Sequence, residues 1–164
     1  MSPRVDRELT YPEVGATAGE LPSGYRHVRR SIHLGRGEDT FLAASEALLG
    51  WNMHRRAGLR VHADTPTVEP GTDVVLRWFG FTIPCRVVYV VDQPNRRGFA
   101  YGTLSGHPES GEERFCVERD ADGTVQATIT AFSRPGRWFT RLGDPIARAV
   151  QRHMTRRYLR AFSG

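Results

Sequence analysis

From residue 144 to the C-terminus apolar side chains recur at every fourth position, Ile146, Val150, Met154, Tyr158 and Phe162, with Arg148, Arg152, Arg156 and Arg160 between them. Two residues correspond to about 200° on a helical wheel, so the rows occupy nearly opposite faces of one helix, one buried and one wet. Asp144 is placed to cap it, and Pro145 suits its first position, where the missing N–H is no loss. About eighteen helical residues span about 27 Å, the length of a strand of about eight residues. The apolar row therefore needs a partner as long as a whole sheet.

The preceding residues supply that sheet. Between Tyr25 and Leu34 the chain alternates, with Val28, Ile32 and Leu34 on one side and His27, Arg29 and His33 on the other. Asp39 is the expected N-cap of a helix carrying Phe41, Leu42, Ala44, Leu48 and Leu49, Gly50 interrupts it, and a second short helix over 51–56 ends near Gly58. A short strand is expected around Val61. Residues 74–81 then alternate Val74, Leu76 and Trp78 against Arg77, and 83–92 place Ile83, Cys85, Val87, Tyr89 and Val91 on one side. Strands follow with Phe99 and Tyr101 inward over 97–104, Phe115 and Val117 inward over 113–119, and Val125, Ala127, Ile129 and Ala131 after the Asp120-Ala121-Asp122-Gly123 turn. Antiparallel strands in sequence, joined by short turns, form a meander.

The predicted fold is α+β: a curved antiparallel sheet of six or seven strands around a long C-terminal helix, with two short helices after the first strand. The 164 residues suit one domain. Residues 1–9 are expected to be a flexible tail, and the Gly/Pro-rich stretch 10–24 a segment over the mouth of any pocket. No run of about 18 apolar residues is present to span a bilayer and the N-terminus lacks a signal-peptide core, from which a cytoplasmic location is expected. Cys85 and Cys116 fall in strand-like segments and read as reduced structural thiols, with no metal-ligand spacing. All 23 basic residues are arginine and the net charge is +5, too modest an excess to indicate nucleic acid as the partner.

Four segments carry a more specific resemblance: Tyr11 with Val14-Gly15-Ala16-Thr17; Leu21-Pro22-Ser23-Gly24-Tyr25; Trp51-Asn52-Met53-His54-Arg55-Arg56-Ala57-Gly58; and Tyr101-Gly102-Thr103-Leu104-Ser105-Gly106-His107-Pro108-Glu109-Ser110-Gly111-Glu112-Glu113. Together they resemble a bacterial and plant family known as domain of unknown function nineteen-ninety, from about Thr10 to the C-terminus. The order of elements is similar to the helix-grip architecture of pathogenesis-related (Bet v 1-like) proteins, START lipid-transfer domains and aromatic polyketide cyclases. The resemblance implies that the N-terminal glycine-rich stretch belongs to the domain. It implies a cavity between sheet and helix, and no catalytic residues are carried over from it.

Read for chemistry, His107, Glu109, Glu112 and Glu113 place an imidazole and three carboxylates in one predicted glycine-rich hairpin, a set suited to acid/base work and equally to an ordinary polar turn. His107, Glu109 and Glu113 are the candidate catalytic residues. Trp51, His54 and Arg55 stand at the helix junction, where an arginine suits an anionic head group and the ring suits packing. Trp51, His54 and Arg55 of that junction, Trp78, Tyr89, Phe99 and Tyr101 from the strands, and Met154 and Tyr158 from the helix are the candidate ligand-binding residues, and the rings suit a solid core as well as a lined pocket. The arginine row on the final helix suits either solvent or a polyanion.

The expected activity is binding of an apolar or amphipathic small molecule. An enzyme of cyclase, isomerase or hydrolase type using a His/Glu pair at the same cavity is the alternative, and a polyanion-binding module the third. No cofactor, metal, nucleic acid or membrane span is expected, and homo-oligomerisation is left open.

Overall fold

A computed structural model describes residues 7–136 and 144–163, the side chains of 144–147 and 163 excepted. A 3₁₀ turn (Ala16–Ala18) precedes β1 (Arg26–Arg36), α1 (Glu38–Leu49) and α2 (Asn52–Arg56). Then come β2 (Arg60–Ala63), β3 (Asp73–Trp78), β4 (Phe81–Gln93), β5 (Arg96–Thr103), β6 (Glu109–Arg119), β7 (Thr124–Pro135) and α3 (Asp144–Ser163). The strands form one antiparallel sheet in the order β1-β7-β6-β5-β4-β3-β2. Strands β2 to β7 are the expected meander, and β1 closes the order by pairing with β7, Val28 opposite Ala131 and Ile32 opposite Ala127.

The turns sit where their residues require them. Asp120 and Gly123 close the β6–β7 hairpin through a Gly123 N–H to Asp120 carbonyl bond of 2.9 Å, with Gly123 at φ 88°. The β3–β4 reversal falls at Phe79-Gly80, so residues 74–81 are not one strand and Phe81 begins the next. Helix α1 begins at Glu38 with Gly37 at the cap position, so Asp39 lies in the first turn and is not the cap. Glu38 and Asp39 there still suit the positive end of the helix dipole. Helix α3 begins at Asp144, one residue before the expected first position at Pro145, and the side chains of Asp144, Pro145 and Ile146 fall outside those described.

One face of the sheet carries the main core. Phe99, Phe115, Val117 and Ile129 are fully buried against Phe41 and Leu48 of α1, Trp51 and Met53 at the α1–α2 junction, and Tyr158 of α3. Helix α3 presents Val150, Met154, Tyr158 and Phe162 inward and leaves Arg148, Arg152, Arg156 and Arg160 exposed, as the four-residue period requires. Arg157 breaks from that row: its Nε donates to the Ala57 carbonyl at 2.6 Å, tying α3 to the end of α2. Gly58 makes room for this contact, since a Cβ there would lie 2.2 Å from Arg157 Nη2, and at φ 95° it takes the left-handed conformation that ends α2.

The other face is covered by the N-terminal segment. Tyr11 and Leu21 bury against Phe132, forming a second, smaller core. Leu9 bridges to Leu104, and the Thr10 N–H donates to the Thr103 carbonyl at 3.0 Å, so contacts with the sheet begin before residue 10. Residues 1–6 lie outside the described residues.

Strand β4 departs from simple alternation. Val87 pairs with Tyr101, whereas Tyr89 pairs with Ala100 and Val90 with Phe99, a bulge that consumes one residue. Beyond it the faces exchange, so Tyr89 does not share a side with Ile83, Cys85 and Val87 as alternation predicts. It lies on the outer face, where its hydroxyl is 2.7 Å from Thr17 Oγ1.

Candidate functional site

Between the inner face of the sheet and α3 lies a cavity of about 130 Å³. Its walls are mainly apolar: Trp78, Phe81 and Ile83 from the β3–β4 hairpin, Ala131 from β7, and Val150 and Met154 from α3. One end is lined by Tyr101, Glu113 and Tyr158, and His107 in the turn before β6 and Glu109 at the start of that strand also reach the cavity. Gln151 Nε2 donates to Ser133 Oγ at 2.7 Å, joining α3 to β7 at the cavity wall. The cavity exists because the helix and sheet faces that meet here carry short side chains, Ala131, Ser133, Thr103 and Thr155, where they carry rings elsewhere.

Glu113 is the distinctive group of this end. It points inward from β6 opposite Tyr101, and its recorded hydrogen bond is a long one, accepted from the Tyr101 hydroxyl at 3.5 Å. Burial pushes its carboxyl up to about 7, against the lowering effect of the Tyr101 hydroxyl, with the nearby Glu109 charge pushing the same way as burial. Burial likewise raises the phenols of Tyr101 and Tyr158, so both stay protonated and able to donate.

Behind Tyr101 lies His54, fully buried, with Nε2 at 3.2 Å from the Tyr101 hydroxyl and Nδ1 without a partner. Burial pushes the imidazole down to about 3, so it is neutral. An orphaned lone pair is less costly than an orphaned N–H, which favours the proton on Nε2. The bonds then run in one direction: His54 donates to Tyr101, and Tyr101 donates to Glu113.

The predicted hairpin cluster divides when folded. Only His107 lies in the turn, while Glu109, Glu112 and Glu113 belong to β6, where neighbouring residues face opposite ways. His107 Nδ1 accepts the Glu109 N–H at 2.8 Å, and although the ring keeps some accessible surface, burial pushes it down to about 3. Glu109 lies 3.6 Å from Arg26. Glu112 borders the cavity, but its carboxylate turns outward to the N-terminal segment. Its Oε2 accepts from the Tyr11 hydroxyl at 2.5 Å and the Gly15 N–H at 2.8 Å, and its Oε1 accepts from the Thr17 N–H at 3.2 Å and the Thr17 hydroxyl at 2.5 Å.

The remaining candidates also separate. Trp78, Tyr101, Met154 and Tyr158 reach the cavity together with His107, Glu109 and Glu113. Trp51, His54 and Phe99 pack beneath it without lining it. Arg55 is exposed and donates to the Gly50 carbonyl at 2.8 Å and Asn52 Oδ1 at 3.2 Å. Tyr89 is on the opposite face. Phe81, Ile83, Thr103, Gln151 and Thr155 line the cavity without having been singled out, although Gln151 and Thr155 lie within one residue of the apolar row of α3, which was the available signal. Among the described residues no group of three or more His, Cys, Asp or Glu side chains is placed to hold a metal ion. Both cysteines are free and buried, and among these residues no helix is long and apolar enough to cross a membrane.

The profile of the family described as Domain of unknown function (DUF1990) matches residues 10–161. A UPF0548 protein of Deinococcus radiodurans is 39% identical over 166 residues, covering 92% of this chain and 84% of its own length. Among solved structures, a hypothetical protein from Helicobacter pylori superposes with a TM-score of 0.66 at 11% identity, covering 95% of this chain and 94% of its own. A norcoclaurine synthase point mutant from Thalictrum flavum, in complex with a transition-state analogue, superposes at 0.56 with 9% identity, covering 87% and 97%. At these identities the two superpositions speak to the shared helix-grip fold.

Proposed function

The chain belongs to the DUF1990 family, and on that scaffold we propose that it binds a small, mostly apolar molecule in the cavity between the sheet and α3. The observation that carries this reading is the cavity itself: a mainly apolar space of about 130 Å³ that a few polar side chains, Tyr101, Glu113 and Tyr158 among them, also line. Ligand sites in proteins combine these two features, an apolar lining for affinity and a few convergent polar groups for orientation. A cavity of about 150 Å³ accommodates a benzene ring, so the bound portion is of single-ring size.

Thermal denaturation with saturating toluene tests this. A neutral ring that occupies the cavity stabilises the folded state by about 2.7 kcal/mol at a hundred-fold excess over Kd and so raises the melting temperature. Met154→Trp fills the cavity and should abolish the shift. A wild-type melting curve indifferent to toluene, or an equal shift in Met154→Trp, would overturn the reading.

A second reading, an enzyme at the same cavity, is favoured by the placement of Glu113: it faces the cavity opposite Tyr101, where burial pushes its carboxyl up to about 7, the range in which a general acid or base works best. In this reading Glu113 moves the proton in place of His107, whose ring is held neutral well below physiological pH. Turnover lost in Glu113→Gln with ligand binding retained would support it, and turnover unaffected by that change would exclude it.

A further inference from the structure

Among the described residues, the cavity holds an acid without a counter-charge: those lining it include Glu113, Glu109 and Glu112 and no arginine, although the chain has 23 arginines. Glu109 faces Arg26 at 3.6 Å, and Glu112 is satisfied by four donors on the outer face. Glu113 has the long contact to Tyr101. Among the described residues, the titratable groups facing it from the surrounding elements are Cys85 of β4, Tyr101 of β5, Glu109 of β6, Tyr158 of α3 and His107 of the preceding turn, with His54 of α2 behind Tyr101. None brings a positive charge: the phenols and thiol are pushed upward by burial and the imidazoles downward.

Two rings flank this carboxyl and two more line the cavity farther off. Tyr101 and Tyr158 stand beside the carboxyl, and Trp78 and Phe81 stack at 6.1 Å toward the other end of the cavity. A desolvated carboxylate is costly unless it is paired, and aromatic faces attract cations. Together these groups are the recognition chemistry of an ammonium ion on a short apolar body.

Resting on the small-molecule reading above, we infer that the ligand is a single-ring or similarly compact amine, whose ammonium group pairs with Glu113 while its apolar body lies against Trp78, Phe81 and Met154. Two protonation states then set the pH dependence. Glu113 must be ionised, which for the empty cavity requires pH above about 7, and the amine must be protonated, which an alkylamine is below roughly pH 10. Affinity rises as pH increases through neutrality and falls again when the amine loses its proton.

The test is calorimetric titration of the full chain with 2-phenylethylamine, 2-phenylethanol and phenylacetate, which share a ring and differ in charge, at about pH 5.5 and about pH 8.5. The expected result is that the amine binds roughly 10- to 100-fold more tightly than the alcohol at the higher pH, the range of a charge-assisted contact. That preference should shrink at the lower pH, and phenylacetate should bind weakest. Glu113→Gln should abolish the preference for the amine over the alcohol, and the comparison on the wild-type protein holds whether or not the variant folds. Equal or tighter binding of the alcohol or phenylacetate at the higher pH would overturn the amine assignment while leaving the cavity reading intact. Failure of all three to bind, with no response to toluene, would overturn both.

Discussion

Glu112 and Glu113 are adjacent in sequence and carry the same functional group, yet the sheet puts them in opposite circumstances. Glu112 faces the N-terminal segment and accepts four hydrogen bonds, two from backbone N–H groups and two from the hydroxyls of Tyr11 and Thr17. Glu113 faces the cavity and, among the described residues, has one hydrogen bond, at 3.5 Å. A carboxylate enclosed by donors is stabilised in its charged form, whereas one surrounded by rings and held by a single distant hydroxyl is penalised for ionising. The first residue holds the fold together, and the second is the kind of group a protein retains for a ligand or a proton. Pleating alone separates these roles, since a one-residue shift in register would exchange them.

The largest effect should come from Glu112→Gln. The amide places an NH₂ where one oxygen stood, facing two donors. The hydroxyl of each pair can rotate to accept, but the backbone N–H of Gly15 or Thr17 cannot. Loss of charge-assisted bonds together with an opposed donor should cost about 3 to 5 kcal/mol. Urea denaturation should report that loss, and limited proteolysis should show cleavage within residues 10–24 that the wild-type protein resists. A loss below about 1 kcal/mol would mean that the four bonds do not hold the segment.

Glu113→Gln should act in the opposite direction, and only above mildly acidic pH. The carboxyl titrates at about 7 when folded, against an ordinary value of 4.5, so between those values the unfolded chain releases its proton first. Stability therefore falls as pH rises through this window, by up to about 3 kcal/mol. An amide does not titrate, so the variant should match the wild type near pH 4 and exceed it near pH 8 by up to that amount. Below about 6.5 the neutral His54 and His107, held down to about 3, act in the reverse sense, and stability falls as pH decreases toward 3. Denaturant titrations across pH should give the wild type an optimum between these limbs and the variant a plateau on the alkaline side. An alkaline limb retained in the variant would remove Glu113 as its cause.

Tyr11→Phe weakens the outer face without removing its charge. It deletes the 2.5 Å donor to Glu112 and leaves the ring against Phe132 and over Gly102, where a Cβ would lie 2.2 Å from the Tyr11 hydroxyl. One hydrogen bond to a charged acceptor is worth about 1.5 to 3 kcal/mol, and three donors remain, so a loss of about 2 kcal/mol is expected in urea. Binding in the cavity on the other face should not change.

This contrast was only half legible in the sequence. Period alone placed α3, since Val150, Met154, Tyr158 and Phe162 leave one face to bury, and the Asp120 to Gly123 turn located the β6–β7 hairpin. Tyr101, Trp78, Met154 and Tyr158 reach the cavity because each lies on the inward phase of an uninterrupted element. Glu112 and Glu113 were grouped in one hairpin tip because Gly106 and Gly111 resemble turn residues. The alternation of Glu113, Phe115 and Val117 could have been extended back to Glu109, which would have separated the two glutamates. The partnership of Glu112 with Tyr11 spans 101 residues, and no local pattern specifies it.

Tyr89 is where local pattern misleads, and it supplies the smallest and most discriminating prediction. Alternation from Ile83 places it beside Tyr101 in the cavity, but the bulge between Val87 and Tyr89 turns it to the outer face. Thr17 Oγ1 already donates to Glu112, so the Tyr89 hydroxyl must be the donor in its 2.7 Å contact with Thr17. It thus acts at one remove from Glu112, through a bond between neutral groups at a partly accessible position. Tyr89→Phe should therefore cost about 1 kcal/mol in urea, less than Tyr11→Phe. Its toluene-induced thermal shift should match that of the wild type, whereas a residue on the cavity side would change it. A loss of the shift without a loss of stability would return Tyr89 to the inner face and invalidate the division of β4 at the bulge.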